Sequence, residues 1–450
     1  MMKIKLLTLS ALSLTMSSGV ALAKVSVEEA RLIGKTLTAI GAEKSANEAG
    51  TIPAYTGGLA QQVNANPLLN IYADESPLYT ITAKNLDKYR SNLSEGQIAM
   101  FSKYPDTYKM PVYKTHRTAA YPKDIYKKAR KNVINTELMS GGNGLKEFDE
   151  TVPFAIPKNG LEVVWNHISR FRGGSNERNM AVMPVQRSGD YVTVTGRSVF
   201  TAPQYLKDGY DAKKDNNILF YYTYLIKSPS RLTGNVLLVH ETVDQVTQPR
   251  LAWNYNSGQR RVRRAPQVSY DAPSTTGDSL VTIDQTDMFN GAPDRYNWKL
   301  VGKKEMYIPY NSYKLADPSA KYTDIVKKNH INQDFARYEL HRVWQVEASL
   351  KKGSRHLYAK RTLYIDEDSW QIALADHYDN RGQLWRASEG HGMQFVNANT
   401  FWYVSETSYD LLSNRYQVRL ANEERDAYIF GKSVKRKSFT AAAIRRAGKR

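Results

Sequence analysis

The sequence contains no cysteine among its 450 residues. Disulfides, cysteine nucleophiles and thiolate metal ligands are therefore excluded, and a hydrophobic core must hold the fold. A lipid anchor on an N-terminal cysteine is excluded for the same reason. After residue 23, no stretch reaches the roughly 18 apolar residues that a membrane-spanning helix needs. The most apolar later run, residues 218–226, has the length of a strand.

Familiar catalytic and metal-binding motifs are also missing. The chain has no G-x-S-x-G nucleophile elbow, and its eight histidines include no pair at the spacing of a zinc-binding helix. The acidic run 366–368 lacks the glycine and ligand spacing of a calcium-binding loop, which favours a polar hairpin turn. We therefore expect no catalytic residue, no metal and no cofactor. A periplasmic hydrolase whose catalytic residues are scattered along the chain stays open as an alternative.

The first 23 residues have the pattern of a secretory signal peptide. Lys3 and Lys5 precede a mostly apolar run over residues 6–16, and Ala21 and Ala23 supply the small residues of a cleavage site. The sequence therefore predicts cleavage after Ala23 and a periplasmic location.

Basic residues outnumber acidic residues by 63 to 44, which gives a net charge of +19. Without the two signal-peptide lysines the balance is 61 to 44, or +17. An exported basic protein meets anionic lipid or lipopolysaccharide surfaces, so peripheral membrane contact is compatible with the sequence and nucleic acid is not expected. The alternative is that the charge serves solubility alone. Residues 432–450 hold eight basic residues and no acidic ones, and we interpret them as a basic C-terminal tail.

Hydrophobic periodicity divides the mature chain into two parts. Residues 24–174 favour helices and loops, and Val164, Trp165 and Ile168 lie at helical spacing within them. From about residue 190 the period becomes two, with turn residues at regular intervals. The sequence therefore predicts a helical and loop N-terminal elaboration over 24–174 and an antiparallel meander of roughly ten strands over 175–431.

Several predicted strands are apolar on both faces. In the run 218–226, Tyr222 and Tyr224 share one face with other apolar residues, while Tyr221 and Leu225 occupy the opposite face. A sheet with one wet face alternates cleanly, so both faces of these strands need a cover. Helices could cover one face and a ligand cavity could lie on the other. A sheet enclosed by helices and long loops, with no cavity, is the alternative.

A predicted hairpin turns at residues 256–258. Its second strand carries arginines on both faces, which favours an edge or rim where side-chain stems pack and guanidinium groups reach water or phosphate. Trp253 and Tyr255 on the first strand are expected in the core, whereas a nucleic-acid reader would expose its aromatics. The residues predicted to meet an anionic partner are Arg260, Arg261, Arg263 and Arg264.

Long segments resemble the domain-of-unknown-function 1329 family of Gram-negative bacteria. They include AWNYNSGQRRVRRAP at 252–266, the run ARYELHRVWQVEASL that begins at residue 336, YDNRGQLWR at 378–386 and IPKNGLEVVWNHISRFRG at 156–173. More loosely, the sheet half is similar to periplasmic lipoprotein carriers of the LolA/LolB type. This resemblance implies an α+β fold in which a curved antiparallel half-barrel, covered by helices, encloses an apolar cavity for acyl chains.

The resemblance also implies a function. Members of the family often lie beside exporters of the resistance-nodulation-division class, which implies periplasmic traffic of a hydrophobic cargo. We therefore expect a carrier or chaperone for a lipid, a lipoprotein acyl chain or another hydrophobic ligand. A non-enzymatic adaptor of an envelope transport complex is an alternative. The residues predicted to line the cavity are Trp165, Trp253, Tyr255, Trp344, Val346, Trp370 and Tyr378.

Overall fold

The computed structural model describes residues 25–265, 271–421 and 427–449, so the predicted signal peptide lies outside the described residues. The α-helices are α1 (Val27–Ala30), α2 (Glu95–Lys103), α3 (Lys123–Asn135), α4 (Gly160–Ser169), α5 (Ala212–Asp215), α6 (Tyr322–Ile325) and α7 (Ala441–Gly448). Short 3-10 helices span Leu86–Lys88, Arg90–Asn92, Ser140–Gly142, Pro203–Tyr205, Ile283–Gln285, Pro293–Arg295, Tyr313–Ala316 and Arg436–Ser438.

The strands lie mostly in the C-terminal two-thirds of the chain. They are β1 (Tyr79–Ile81), β2 (Met110–Val112), β3 (Glu137–Leu138), β4 (Leu145–Lys146), β5 (Ser175–Val185), β6 (Val194–Thr201), β7 (Ile218–Ile226), β8 (Val236–Thr242), β9 (Leu251–Asn256), β10 (Arg261–Ala265), β11 (Tyr296–Pro309), β12 (Tyr338–Leu350), β13 (Lys360–Asp366), β14 (Ile372–Tyr378), β15 (Leu384–Phe395), β16 (Thr400–Asp410), β17 (Arg415–Ala421) and β18 (Tyr428–Phe430). Among the described residues, none of the helices combines the length and apolar character of a membrane span.

One large antiparallel sheet organises the molecule. Its strands follow the order β11-β12-β13-β14-β15-β16-β17-β5-β6-β7-β8-β9-β10. β18 pairs with residues 176–178 of β5, next to the part of β5 that pairs with β17. The antiparallel pair β1-β2 joins the end of β12, where Tyr338 pairs with Val112 in parallel. With β1 and β2, the described sheet has 16 strands, more than the ten or so that the sequence predicted. The expectation of an α+β fold with a large, curved, unclosed antiparallel sheet is confirmed.

Residue pairing across the sheet separates its two faces. Phe200 on β6 and Trp402 on β16 lie on strands with two others between them, yet their ring centroids are only 6.3 Å apart. In a flat sheet those strands would lie about 14 Å apart. We call the face that carries Phe200 the concave face, because side chains from separated strands converge there. The register places Tyr222 and Tyr224 on the same face, through Phe200 and Ser198 of β6.

Different segments cover the two faces. At its end, α4 reaches the concave face, where the Arg172 guanidinium lies 5.9 Å from the ring of Phe200. Its beginning lies against β11, since a Cβ at Gly160 would come within 2.8 Å of the Lys299 backbone. The convex face is covered by α2, whose Gly96 amide donates to Asp376 of β14 at 3.1 Å. At the other end of the sheet, α7 packs across β7 to β10 on the convex face.

Local turn chemistry fixes the two hairpins that the sequence singled out. β9 and β10 form a hairpin in which Tyr255 pairs with Val262, and Arg260 closes its turn with a φ of 53°. The acidic run 366–368 forms the turn between β13 and β14, as predicted. There, the Ser369 amide and hydroxyl both donate to Asp366 Oδ2, at 2.9 and 2.6 Å.

Candidate functional site

The candidate site is an apolar patch on the concave face of β7 and β8. Tyr222 pairs with Val239, and Tyr224 pairs with Leu237, so four side chains form two adjacent cross-strand pairs. All four are partly exposed, whereas Leu238 between them points to the convex face and is buried. We call Tyr222, Tyr224, Leu237 and Val239 the open patch. Such partly exposed aromatic and aliphatic side chains are suited to an apolar ligand.

A glycine on the neighbouring strand positions one ring of the patch. A Cβ at Gly196 of β6 would come within 2.5 Å of the Tyr224 ring, so only glycine lets this ring lie against the strand. The Tyr224 ring also packs on the small buried cluster of Val182, Val194 and Ile226. Its hydroxyl oxygen is buried and has no hydrogen-bond partner. The patch therefore combines an apolar surface with one unsatisfied polar atom.

Guanidinium groups lie at the inner end of the open patch. Burial raises the pKa of Tyr222, and the nearby Arg178 and Arg419 act to lower it. Arg419 also donates to Glu406 at 2.9 Å, and Arg178 lies 3.9 Å from the ring centroid of Trp402. The charge of Arg419 is therefore balanced by Glu406, and the Arg178 guanidinium lies where the open patch meets the packed part of the concave face.

The arginines of β10 lie at the outer end, on the free edge of the sheet. Arg261 and Arg263 are opposite Asn256 and Asn254 on the concave face, and Arg264 is opposite Trp253 on the convex face. Each is exposed, as is Arg260 in the turn. The edge position expected from arginines on both faces of one strand is confirmed. An anionic partner for these residues stays a prediction.

Four of the predicted cavity residues come together in the packed part of the sheet. Trp165, Val346 and Trp370 are fully buried in one cluster, and the ring of Trp344 stacks on Trp370 with a centroid distance of 6.1 Å. Trp370 Nε1 donates to the Ile40 carbonyl at 2.8 Å. These side chains contact the protein's own residues, and their role in cargo binding stays a prediction.

The other three predicted residues lie elsewhere. Trp253 and Tyr255 are on the convex face, where they pack in the cluster that α7 covers. The Tyr378 hydroxyl donates to Glu95 of α2 at 2.7 Å, also on the convex side. The structure therefore does not bring all seven residues around one cavity. The sequence did show that Tyr222 and Tyr224 share a face, but strand periodicity does not tell which face is concave.

Besides the open patch, a cavity of about 510 Å³ lies at the end of β7 and β8. Much of its lining is polar, and Asp244 there is already engaged by the amides of Val246 and Thr247. An apolar cargo fits the open patch better. The cavity is lined by Leu145, Glu147, Phe148, Asn216, Asn217, Val243, Asp244, Thr247 and Gln248.

Buried charges occupy the packed part of the concave face. Asp287 accepts hydrogen bonds from Arg170, Arg172 and the Trp402 indole, at 2.9, 2.9 and 3.0 Å. Burial acts to raise the pKa of Asp287, but the two guanidinium groups outweigh it and hold that pKa well below the usual range. His167 Nε2 donates to the backbone carbonyl of Asp287 at 2.9 Å. This network joins α4 to β16.

A second buried cluster contains His341, Asp366 and Asp368, which bring one nitrogen and two carboxylate oxygens within 4.8 Å of one another. Arg117 donates to both oxygens of Asp368, at 2.8 and 2.7 Å. His341 Nε2 lies 3.1 Å from a carboxylate oxygen of Glu339.

One ligand atom of that cluster, Asp366 Oδ1, has no hydrogen-bond partner among the described residues, and it lies 4.0 Å from His341 Nδ1. Because Arg117 already engages both oxygens of Asp368, the cluster offers fewer free ligands than the three or four that protein metal sites use, and its geometry fits a proton better than a cation. Burial and the charge of Asp368 raise the pKa of Asp366 to about 7. Protonation of Asp366 removes a buried negative charge beside that of Asp368.

The chain is similar to known proteins over most of its length. The family described as "Protein of unknown function (DUF1329)" matches residues 80–445. The chain belongs to this family. An uncharacterised protein of Pseudomonas aeruginosa is similar to it, with 55% identity over 450 residues and 99% of each chain covered. The predicted family membership is confirmed.

Solved structures show weaker similarity. A putative outer membrane lipoprotein-sorting protein domain from Vibrio parahaemolyticus is 12% identical, with a TM-score of 0.44 over 64% of this chain and 98% of that one. A DUF1329 family protein from Desulfovibrio piger is 15% identical, with a TM-score of 0.41 over 60% and 91%. A LolA superfamily protein from Nitrosomonas europaea is 11% identical, with a TM-score of 0.36 over 63% and 98%.

Proposed function

We propose that this DUF1329 protein is a periplasmic carrier that binds a hydrophobic cargo on the open patch. One observation carries the proposal: Tyr222, Tyr224, Leu237 and Val239 are partly exposed on the inside of a curved sheet. The helix that crosses these strands, α7, lies on the opposite face. Apolar surface of this kind gains free energy when a ligand removes it from water.

The magnitude suits an acyl chain. Burial gains roughly 0.8 kcal/mol per methylene, so a C16 chain would gain on the order of 10 kcal/mol before the entropic costs of binding. The Tyr224 hydroxyl and the Arg178 guanidinium group would meet a polar or anionic head group. The cargo class that fits best is therefore an amphiphile with an acyl or similar chain.

The location and the partner extend the same proposal. The signal-peptide pattern before Lys24 supports export to the periplasm. The sequence shows no nucleotide-binding motif, so release of cargo would need a partner with a better site for it. An exporter of the resistance-nodulation-division class fits that role and stays a prediction. The adaptor alternative makes a different prediction, since an adaptor would copurify with exporter subunits and carry no cargo.

A binding experiment tests the open patch. We expect the double variant Leu237→Asn/Val239→Asn to weaken binding of the fluorescent hydrophobe N-phenyl-1-naphthylamine by tenfold or more. The matched control is Val192→Asn/Val246→Asn, because Val192 and Val246 are 50% and 54% exposed and lie outside the patch. Equal affinity in both double variants would exclude the patch as the site.

Mass spectrometry of an organic extract tests for a natural cargo. The protein purified from its native host should yield a hydrophobic compound in stoichiometric amount, and the patch variant should yield much less. A clean extract together with copurifying exporter subunits would favour the adaptor instead.

A further inference from the structure

Three segments that are far apart in sequence meet at the β10 edge of the sheet, which lies beyond the open patch. We call strands β7 to β10 the open half of the sheet. They are the loop 227–234, the turn and second strand of the β9-β10 hairpin, and α7 with the residues before it. Ser257 Oγ donates to the Thr233 carbonyl at 2.8 Å, which joins the first two segments. A Cβ at Gly234 would come within 2.7 Å of the Gly448 carbonyl oxygen, which places the end of α7 against the same loop.

The surface formed by these segments carries charge of one sign. Residues 227–234, 257–265 and 435–449 contain no Asp and no Glu, although they hold many Lys and Arg residues. Arg436, in the last of them, is neutralised by Asp215 at 2.6 Å. Several other cations of these segments are exposed and form no ion pair with any described residue, and six of them lie on β10 or on α7 and its C-cap. We call these six the basic edge: Arg261, Arg263, Arg264, Arg445, Arg446 and Lys449.

The packing of α7 directs its share of this charge outward. Ile444 is buried in the convex-face cluster, and Ala447 packs against the same cluster. Arg445, Arg446 and Lys449 lie on the remaining faces of the helix and are exposed. The basic edge is therefore built on a folded support, and it brings together charges from strand β10 and from a helix about 180 residues later in the chain.

We propose that the basic edge docks the protein on an anionic phospholipid membrane. Its cations point from both faces of an edge strand and from a helix, and this spread matches an extended negative surface better than a single anionic group. Arg261 and Arg263 stand on the concave face, on the strand that ends the open half. Docking would therefore bring the open patch next to the lipid, where cargo could be exchanged. The exchange rests on the proposed carrier function, whereas the docking does not.

Vesicle binding tests the proposal. The purified protein should bind vesicles of phosphatidylglycerol and phosphatidylcholine in 0.1 M NaCl, and it should not bind phosphatidylcholine alone. We expect Arg261→Gln/Arg263→Gln/Arg264→Gln and Arg445→Gln/Arg446→Gln/Lys449→Gln each to weaken that binding by about 100-fold. Higher salt should weaken the binding of the unmodified protein, because counterions screen exposed charges.

The control removes the same charge elsewhere. Lys123, Lys127 and Lys131 are exposed on α3, so Lys123→Gln/Lys127→Gln/Lys131→Gln has the same net charge as either test variant. An equal loss of binding in this control would reduce the effect to net charge and overturn the proposal. Absence of binding by the unmodified protein would overturn it too, including the case in which an acidic protein binds the edge instead.

Naphthylamine binding, measured on the same samples, separates this proposal from the carrier function. Both basic-edge variants should keep hydrophobe affinity, and the patch variant Leu237→Asn/Val239→Asn should keep vesicle binding. Loss of vesicle binding in the patch variant would show that lipid contact runs through the patch rather than through the basic edge.

Discussion

The two halves of the sheet are made of similar strands and differ in what covers them. Every residue of β14 and β16 is buried, so both faces of these two strands are covered. β7 and β8 also carry apolar side chains on both faces, but four of their concave side chains stay partly exposed. N-terminal segments enclose the first half, whereas α7 covers only the convex face of the second. The difference shows that strand composition forms the sheet, while distant segments decide where a binding surface remains.

The largest expected effect is on folding of the packed half. Trp370 is fully buried, and its indole donates to Ile40. We expect Trp370→Ala to lower the free energy of unfolding by about 4 kcal/mol, because truncation leaves a large cavity and an unpaired carbonyl. Urea denaturation measures this, with Leu237→Ala as the matched change in the open half. A similar cost for Leu237→Ala would contradict the contrast between the halves.

The second largest effect on the free energy of unfolding is expected from the buried charge network around Asp287. Asp287→Asn leaves Arg170 and Arg172 without a countercharge in the core, and we expect a loss of about 3 kcal/mol in the free energy of unfolding. The exposed pair of Asp87 and Arg90 is the control, since its loss should cost less than about 0.5 kcal/mol. Thermal unfolding of both variants measures the difference. A mild effect of Asp287→Asn would mean that the two arginines find other partners.

Part of this contrast could be predicted from the sequence. The antiparallel sheet follows from the change of period near residue 190, and the edge position of β10 follows from arginines on both of its faces. The α+β fold with a curved half-barrel was implied by the family resemblance. The hairpin turn at 366–368 follows from its polar run. The edge position and the turn depend only on residues that are neighbours in the sequence. The local sequence pattern was therefore sufficient to predict them.

The arrangement of the aromatic residues could not be predicted in this way. Trp253 is covered by a helix that begins at Ala441, and Trp370 is held by the carbonyl of Ile40. These contacts join positions hundreds of residues apart, and periodicity within one strand carries no information about them. The same limit hid the open patch, because alternation identified the face of Tyr222 and Tyr224 without showing that it is concave and partly uncovered.

The stability of the protein should also depend on pH through a buried carboxyl group of the packed half, Asp366. The folded pKa of Asp366 is about 7, above its usual 3.8, so the folded state binds this proton more tightly than the unfolded state does. Stability from this group is therefore full below pH 4 and is lost as the pH rises to 7. Asp366→Asn should remove that loss, which is about 2.5 kcal/mol between pH 5 and pH 8. Denaturation curves at the two pH values measure it, and an unchanged slope in the variant would assign the pH dependence to other groups.

The smallest change in the free energy of unfolding is expected when one tyrosine on each face of β7 is replaced by phenylalanine. The Tyr221 hydroxyl, on the convex face, donates to Asp215 at 2.8 Å, whereas the buried Tyr224 hydroxyl on the concave face has no partner. Tyr221→Phe should therefore lower the free energy of unfolding by about 1.5 kcal/mol, and Tyr224→Phe should leave it unchanged or raise it by up to about 1 kcal/mol. If the Tyr224 hydroxyl serves a cargo head group, the same variant should lose affinity for an amphiphile while it keeps affinity for a pure hydrocarbon probe. A stability loss in Tyr224→Phe equal to that in Tyr221→Phe would mean that this hydroxyl already has a partner in the folded protein, and the open patch would then lack its one unsatisfied polar atom.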